Sequence, residues 1–265
     1  YFYVSHRIGN KELMNYFLVK SFKFVKIIKV LKIIKKYIKN LISNSHFKAS
    51  FFSLRWDFLR FLARRRTNRM HKSYLKRFNN LPSKLHFGCG ARKIDGWLNC
   101  DVQNSDLDID LASGLLPFKD NVFDFIVSQH CIEHLWLIDE LQPLINNMFK
   151  CLKPGGEIWL SCPDIQKVFK DYEKTKGMGL INDRKTRFPD YSTHGYPSSY
   201  VINDFFHQGG GHKNLFDFNL LQSVLDIAGF IECTQVDESI FLNRFPDFLK
   251  RGDDFQSLYV MATKN

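Results

Sequence analysis

Four short apolar runs between residues 84 and 128 each end in residues able to grip a ligand. Phe87 leads into Gly88-Cys89-Gly90, Leu98-Asn99-Cys100 into Asp101, Leu107-Asp108-Ile109 into Asp110 and Leu111, and Phe125-Ile126-Val127 into Ser128-Gln129-His130. Glycines after a strand let a ligand approach the backbone closely. A carboxylate at the end of a second strand can accept both hydroxyl protons of a ribose. One after a third strand can take the exocyclic amine of adenine. Together they read as an adenosine site.

Such residues converge only if the runs are neighbouring parallel strands. Candidate strands are Lys84–Phe87, Leu98–Val102, Leu107–Leu111, Phe123–Ser128, Glu157–Cys162, Ile231–Val236 and Ser257–Ala262. Helical patterns follow several of them, notably over Ile132–Cys151 and Leu220–Ala228. This alternation implies an α/β fold, a mostly parallel sheet with helices on its faces. Ligands in open α/β sheets bind outside the carboxyl ends of the strands, where these residues fall.

The first loop, Gly88-Cys89-Gly90-Ala91-Arg92-Lys93, lacks the third glycine of the dinucleotide fingerprint G-x-G-x-x-G. Little chain separates Gly90 from the next strand, which leaves scant room for a helix whose N-terminus could hold a pyrophosphate. No P-loop is present.

Three segments carry a family resemblance: LHFGCGARKIDGWLNCD, DLASGLLPFKDNVFDFIVSQHCIEHL and LKPGGEIWLSCPD. In that order they resemble class I S-adenosylmethionine-dependent methyltransferases, closest to a small bacterial branch opening G-C-G-x-x-K-x-x-G-W-x-N-x-D. The likeness is dense over residues 81–165 and returns over 212–230. It implies a Rossmann-like seven-strand sheet with an antiparallel last strand, and S-adenosylmethionine as cofactor. By the same resemblance Gly88, Cys89 and Gly90 line the methionine moiety, and Asp101 the ribose. Asp110 with Leu111 meets the adenine, and Ser128, Gln129 and His130 close the site beneath the sulfonium. The short crossover between the first two strands suggests that a helix over Ser53–Phe78 covers an otherwise bare sheet face.

His130-Cys131-Ile132-Glu133-His134 matches H-x-x-E-H, a zinc-protease pattern. The resemblance already accounts for the segment as the start of the helix after the fourth strand, so no metal is expected. Lys153-Pro154-Gly155-Gly156 reads as a turn feeding the fifth strand. Asp95, Asp106, Asp108, Asp120 and Asp124 read as turn, surface or backbone-bonding carboxylates.

Residues 165–214 form an insertion rich in Tyr, His and Gly, read as an ordered lid over the acceptor. Methyl transfer from a sulfonium is an in-line displacement, so much of its catalysis comes from alignment. A hydroxyl acceptor also needs a base. His130, Asp164, His207 and His212 are the candidates, His130 and His212 being favoured by position.

Charge divides the chain. Residues 1–80 carry a net +18 and residues 81–265 a net −7, which separates a basic, mostly helical N-terminal arm from the domain. From Ile27 to Ile42 apolar residues share one helical arc, while Lys29, Lys32, Lys36 and Lys39 share the other. Three readings stay open for the arm: an anionic membrane surface engaged through residues 20–80, packing on the domain or a second subunit, and nucleic acid. The last is disfavoured by the lack of any aromatic-rich RNA signature or zinc finger. The six cysteines form no C-x-x-C pair, which reads as reduced thiols in a cytoplasmic protein, with the membrane reading placing it peripherally on the inner face.

The expected acceptor is a small molecule or a glycan, since members of the resembling branch are often linked to surface polysaccharide assembly. An alternative is a catalytically inactive cofactor-binding scaffold at a membrane or in a complex.

Overall fold

Runs such as Phe123–Val127 and Ile158–Leu160 hold large apolar side chains with little polar alternation, the pattern of strands covered on both faces. The computed structural model describes residues 50–51, 53–65 and 81–265. The described residues from 56 onward belong to one compact unit. Its strands are β1 (Lys84–Phe87), β2 (Leu98–Asp101), β3 (Leu107–Asp108), β4 (Phe123–Gln129), β5 (Leu152–Pro163), β6 (Phe230–Val236) and β7 (Ser257–Lys264). They form one seven-stranded sheet in the order β3-β2-β1-β4-β5-β7-β6. Strands β1 to β5 pair in parallel. Strand β7 runs antiparallel to both neighbours, β5 and β6. This is the Rossmann-like arrangement expected, with its order reversing at β1 and β4, where such sheets bind ligands.

Helix α1 occupies residues 53–65. The others are α2 (Gln142–Cys151), α3 (Ile165–Thr175), α4 (Met178–Arg187), α5 (Tyr200–His207), α6 (Phe218–Ala228) and α7 (Glu238–Arg244). One sheet face packs Leu85, Ile126, Ile158 and Val260 against Leu144, Ile145 and Met148 of α2 and Leu221, Val224 and Leu225 of α6.

The opposite face, which a helix over Ser53–Phe78 was expected to cover, is roofed among the described residues by another segment. Val127, Trp159 and Tyr259 there meet Phe241, Phe245 and Phe248, all from the connection between β6 and β7. Trp97, from the short first crossover, completes the cluster edge-on, 5.4 Å from Phe245 and 5.0 Å from Phe248 between ring centroids. Large aromatics fill the space a crossover helix would have taken, each burying ~150–250 Å². Helix α1 instead sends arginines to the carboxyl ends of the strands. Residues 27–42 and 66–78 lie outside those described.

Local rules account for the other departures. The helix expected over Ile132–Cys151 is a 3-10 turn (Ile132–His134), a π turn (Leu137–Leu141) and then α2, with Pro143 in its first turn. Proline lacks an amide donor and is tolerated there but not deeper. Strand β3 stops at Asp108, and a 3-10 turn begins at Leu111. Lys153–Gly156 does turn, but as an irregularity within β5: Leu152 pairs with Phe123, and Glu157 already pairs with Phe125.

The 165–214 insertion folds as α3, α4 and α5 around a small core of Val168, Leu180, Ile181, Val201 and Phe205. Asp164 caps α3, its Oδ1 accepting from the backbone N–H of Gln166 at 2.9 Å. Such a cap is worth ~1 kcal/mol.

Candidate functional site

The glycine loop is built tightly on one side and openly on the other. Gly88 has φ +66°, and a Cβ there would collide with Cys131 Sγ, so the loop packs directly on the segment leaving β4. Gly90 has φ +55° with no atom within 4 Å of where its Cβ would stand. Its N–H donates to Asp101 Oδ2 at 2.7 Å, while Val102 N–H donates to Asp101 Oδ1 at 2.6 Å. Burial raises the Asp101 pKa, and these two backbone donors partly offset it. Burial and neighbouring Asp101 push the Cys89 thiol to about 12, leaving it protonated and inert at neutral pH.

Asp110 is 2% exposed and each of its carboxylate oxygens meets an arginine of α1. Arg60 Nε donates to Oδ1 at 3.0 Å and Arg64 Nε to Oδ2. Arg60 also reaches Glu140 Oε1 at 2.9 Å. Burial works against the Arg60 charge, but Asp110 and Glu140 outweigh it and raise its pKa. Leu111 follows, buried at the start of its 3-10 turn.

At the end of β4, Gln129 Nε2 is buried without a partner. Gln129 lines a cavity of about 350 Å³ with Arg92, Lys93, Ile94, Phe248 and Leu249. Ser128 is buried beside the glycine loop, its Oγ 3.8 Å from the position of a Gly88 Cβ.

His130 adopts φ +53° and is clamped at both ring nitrogens. Nε2 lies 2.8 Å from Asp253 Oδ2 and 3.1 Å from Ser257 Oγ, and Nδ1 lies 3.3 Å from Glu133 Oε1. Burial would lower its pKa, but the two carboxylates prevail and raise it. A ring held between two acceptors has no lone pair ready to take a proton. Asp253 also accepts from Tyr259 Oη at 2.7 Å and Arg251 Nε at 3.0 Å. Burial opposes its ionisation, yet His130, Tyr259 and Arg251 hold its carboxyl far below the usual range.

His212 differs. Its Nδ1 lies 2.7 Å from the Phe205 carbonyl, and burial lowers its pKa, so the ring is neutral at physiological pH. Its centroid is 5.1 Å from that of His134. The other base candidates stand apart, His207 exposed on α5 and Asp164 occupied as a helix cap.

The structure therefore brings Gly88, Gly90, Asp101, Asp110, Gln129 and His130 to the carboxyl edge of β1–β4, with His212 facing Glu133 and His134. Sequence reasoning missed Arg60, Arg64, Asp253 and Ser257. None carries a spacing signal, because each reaches the site from 46 to 127 residues away.

Similarity to solved structures is distant. A phosphoethanolamine N-methyltransferase 2 from Haemonchus contortus, in complex with S-adenosyl-L-methionine, is 15% identical with a TM-score of 0.39, covering 74% of this chain and 52% of its own. The chain thus spans about half the length of that enzyme. A SAM-dependent methyltransferase from Archaeoglobus fulgidus is 14% identical, TM-score 0.42, covering 75% and 92%. An S-adenosylmethionine-dependent methyltransferase from Mesorhizobium loti is 14% identical, TM-score 0.38, covering 68% and 90%. No curated protein matches the chain. Residues 99–160, which carry Asp101, Asp110 and the Ser128–His130 segment, match the methyltransferase domain family.

Proposed function

We propose that the protein is an S-adenosylmethionine-dependent methyltransferase acting on a small-molecule or glycan-type acceptor. The observation that carries this reading is the set on one sheet edge: a glycine loop tied to Asp101, Asp110 after β3, and the unpartnered Gln129 amide after β4. The methyltransferase match over residues 99–160 supports it.

The residues fit the cofactor at two of its three ends. Gly90 leaves open the space a side chain would fill, and Gln129 Nε2 is a buried donor without an acceptor, as a bound amino-acid carboxylate would require. Asp101 retains lone pairs for ribose hydroxyls beyond its two backbone bonds. At the adenine end, Asp110 is shared with Arg60 and Arg64, so an amine must enter beside or in place of the guanidiniums. The bound cofactor supplies a sulfonium-borne methyl group, and the chain aligns and shields it.

Of the two histidines expected to be catalytic, His130 is held at both ring nitrogens and would position Glu133 rather than take a proton, which leaves His212 as the proposed catalytic histidine. Helices α3 to α5 serve as the lid over the acceptor. The proposal extends to a peripheral membrane setting, on the cytoplasmic face and linked to polysaccharide assembly. The +18 charge of residues 1–80 supports it, as do Trp56, Phe58 and Phe61, which α1 exposes beside arginines. Among the described residues no helix is long and apolar enough to cross a membrane.

Calorimetry of the folded, cofactor-stripped protein with S-adenosylmethionine and S-adenosylhomocysteine tests the reading. Binding of both, with methyl turnover on a panel of glycans and small acceptors, is expected; no heat with either ligand refutes it.

A further inference from the structure

We propose that Glu133, His134 and His212 form a binding site for one divalent transition-metal ion, in the class of Mn²⁺, Fe²⁺, Co²⁺ and Zn²⁺. One ligand-capable atom from each lies within 4.8 Å of the other two. Glu133 is 1% exposed, and its Oε2 has no hydrogen-bond partner. A buried carboxylate oxygen left unmatched is costly and calls for a cation or donor.

The hydrogen bonds of the two imidazoles leave Nε2 of each available as a ligand. His134 Nδ1 lies 3.0 Å from the Gly211 carbonyl, and His212 Nδ1 lies 2.7 Å from the Phe205 carbonyl. A carbonyl can only accept, so each Nδ1 carries the proton and each Nε2 keeps its lone pair. Metal-ligating histidines characteristically donate their other ring nitrogen in this way.

The backbone brings the set together. The Glu133 carbonyl accepts from Lys213 N–H at 2.9 Å and Asn214 N–H at 3.2 Å, and Asn214 Nδ2 donates to the Leu135 carbonyl. His212 is thus docked against the Glu133–His134 turn by the residues that follow it. Glu133 Oε1 faces His130 Nδ1 at 3.3 Å, which orients the carboxylate and leaves Oε2 for the cation.

This site differs from the one the H-x-x-E-H pattern suggests. That pattern would put His130 and His134 on one metal, whereas here His130 is tied to Asp253 and Ser257. Two imidazoles and one carboxylate favour borderline transition metals over Mg²⁺ or Ca²⁺, which prefer all-oxygen shells. Three protein ligands leave coordination positions open. Under the methyltransferase reading, on which this part rests, those positions face the acceptor and would hold one of its oxygens.

The test uses the full chain, stripped with a chelator and titrated with Co²⁺ and Mn²⁺. Metal content is read by mass spectrometry and the Co²⁺ shell by visible absorption. One equivalent per chain, with ligand-field bands, is expected. His212→Ala should weaken binding by ~100-fold or more, since even outer partners of a ligand cost about 10–100-fold. Glu133→Gln should do the same, and His207→Ala should leave binding unchanged. Because Glu133 is buried, His212→Ala and His134→Ala decide the matter if Glu133→Gln misfolds. Equal affinity in wild type, His212→Ala and His134→Ala overturns the site, as does a wild type that binds no Co²⁺ or Mn²⁺. S-adenosylhomocysteine binding measured alongside separates the two proposals: cofactor without metal sinks only the site, metal without cofactor only the methyltransferase reading.

Discussion

His130 Nε2 lies 2.8 Å from Asp253 Oδ2, joining the end of β4 to the segment that enters β7. The carboxylate is 1% exposed. Removing one partner of a buried charged pair typically costs about 3–5 kcal/mol. Asp253→Asn should therefore lose stability of that order at neutral pH. The Asp253 pKa is lowered on folding, so its contribution is present above the unfolded value of ~3.9 and is lost as pH falls through the folded one. Urea unfolding at pH 7 and pH 3 should show the gap between the wild type and the variant narrowing at the acid end without closing.

The two loop glycines should respond differently to alanine. Both have positive φ, which costs an L-residue roughly 1–2 kcal/mol. At Gly88 the new methyl also collides with Cys131, adding about 1–3 kcal/mol of overpacking. Gly90→Ala meets no atom, so it should fold with only the backbone cost yet lose cofactor affinity. Thermal melts and calorimetry on the two variants separate these effects.

His86 gives the fold a pH dependence of its own. It is 2% exposed, its Nδ1 lies 3.2 Å from Asn99 Oδ1, and its ring meets Phe248 edge-on at 5.0 Å. Burial lowers its pKa from 6.5 to about 4; the Asn99 bond opposes this and the Arg251 charge assists it. The unfolded chain therefore takes up the proton first. This part of the stability is intact above pH ~6.5, falls with pH and levels off near pH 4, by about 3 kcal/mol in all. His86→Gln should flatten that limb of a stability-against-pH curve.

Arg60 and Arg64 should tune the adenine end of the proposed site. With Arg60→Ala/Arg64→Ala, Asp110 no longer shares its oxygens with guanidiniums. S-adenosylhomocysteine should bind about tenfold more tightly, a change of ~1.4 kcal/mol. The melting temperature should fall, because a buried carboxylate is left without its counter-charges. Unchanged affinity would show that the adenine does not meet these arginines.

The sheet was legible because its signals are local. Phe87, Cys100, Ile109 and Val127 sit in short apolar runs that stop at glycine, an acid or serine, and spacing alone delivers Asp101 and Asp110 to the same edge. What escaped depended on distant contacts. Phe241, Phe245 and Phe248 recur at helical spacing, but that spacing does not say which face they roof. Asp253 lies in an Arg-Gly-Asp-Asp turn that looks like surface. The pairing of His212 with Glu133 and His134 depends on the path of the 165–214 insertion, which no local spacing gives. Even the boundary of α2 turned on a competition between an apolar period and Pro143, which periodicity does not weigh.

The connection from residue 237 to 256 does two jobs. Its phenylalanines close the sheet beside Trp97 and Trp159, and a few residues later it delivers the carboxylate that fixes His130. Loss of packing under the sheet is thereby transmitted to the imidazole above it. A Phe248→Ala cavity should disturb the His130–Asp253 pair without touching it, so the segment that covers the sheet also belongs to the proposed site.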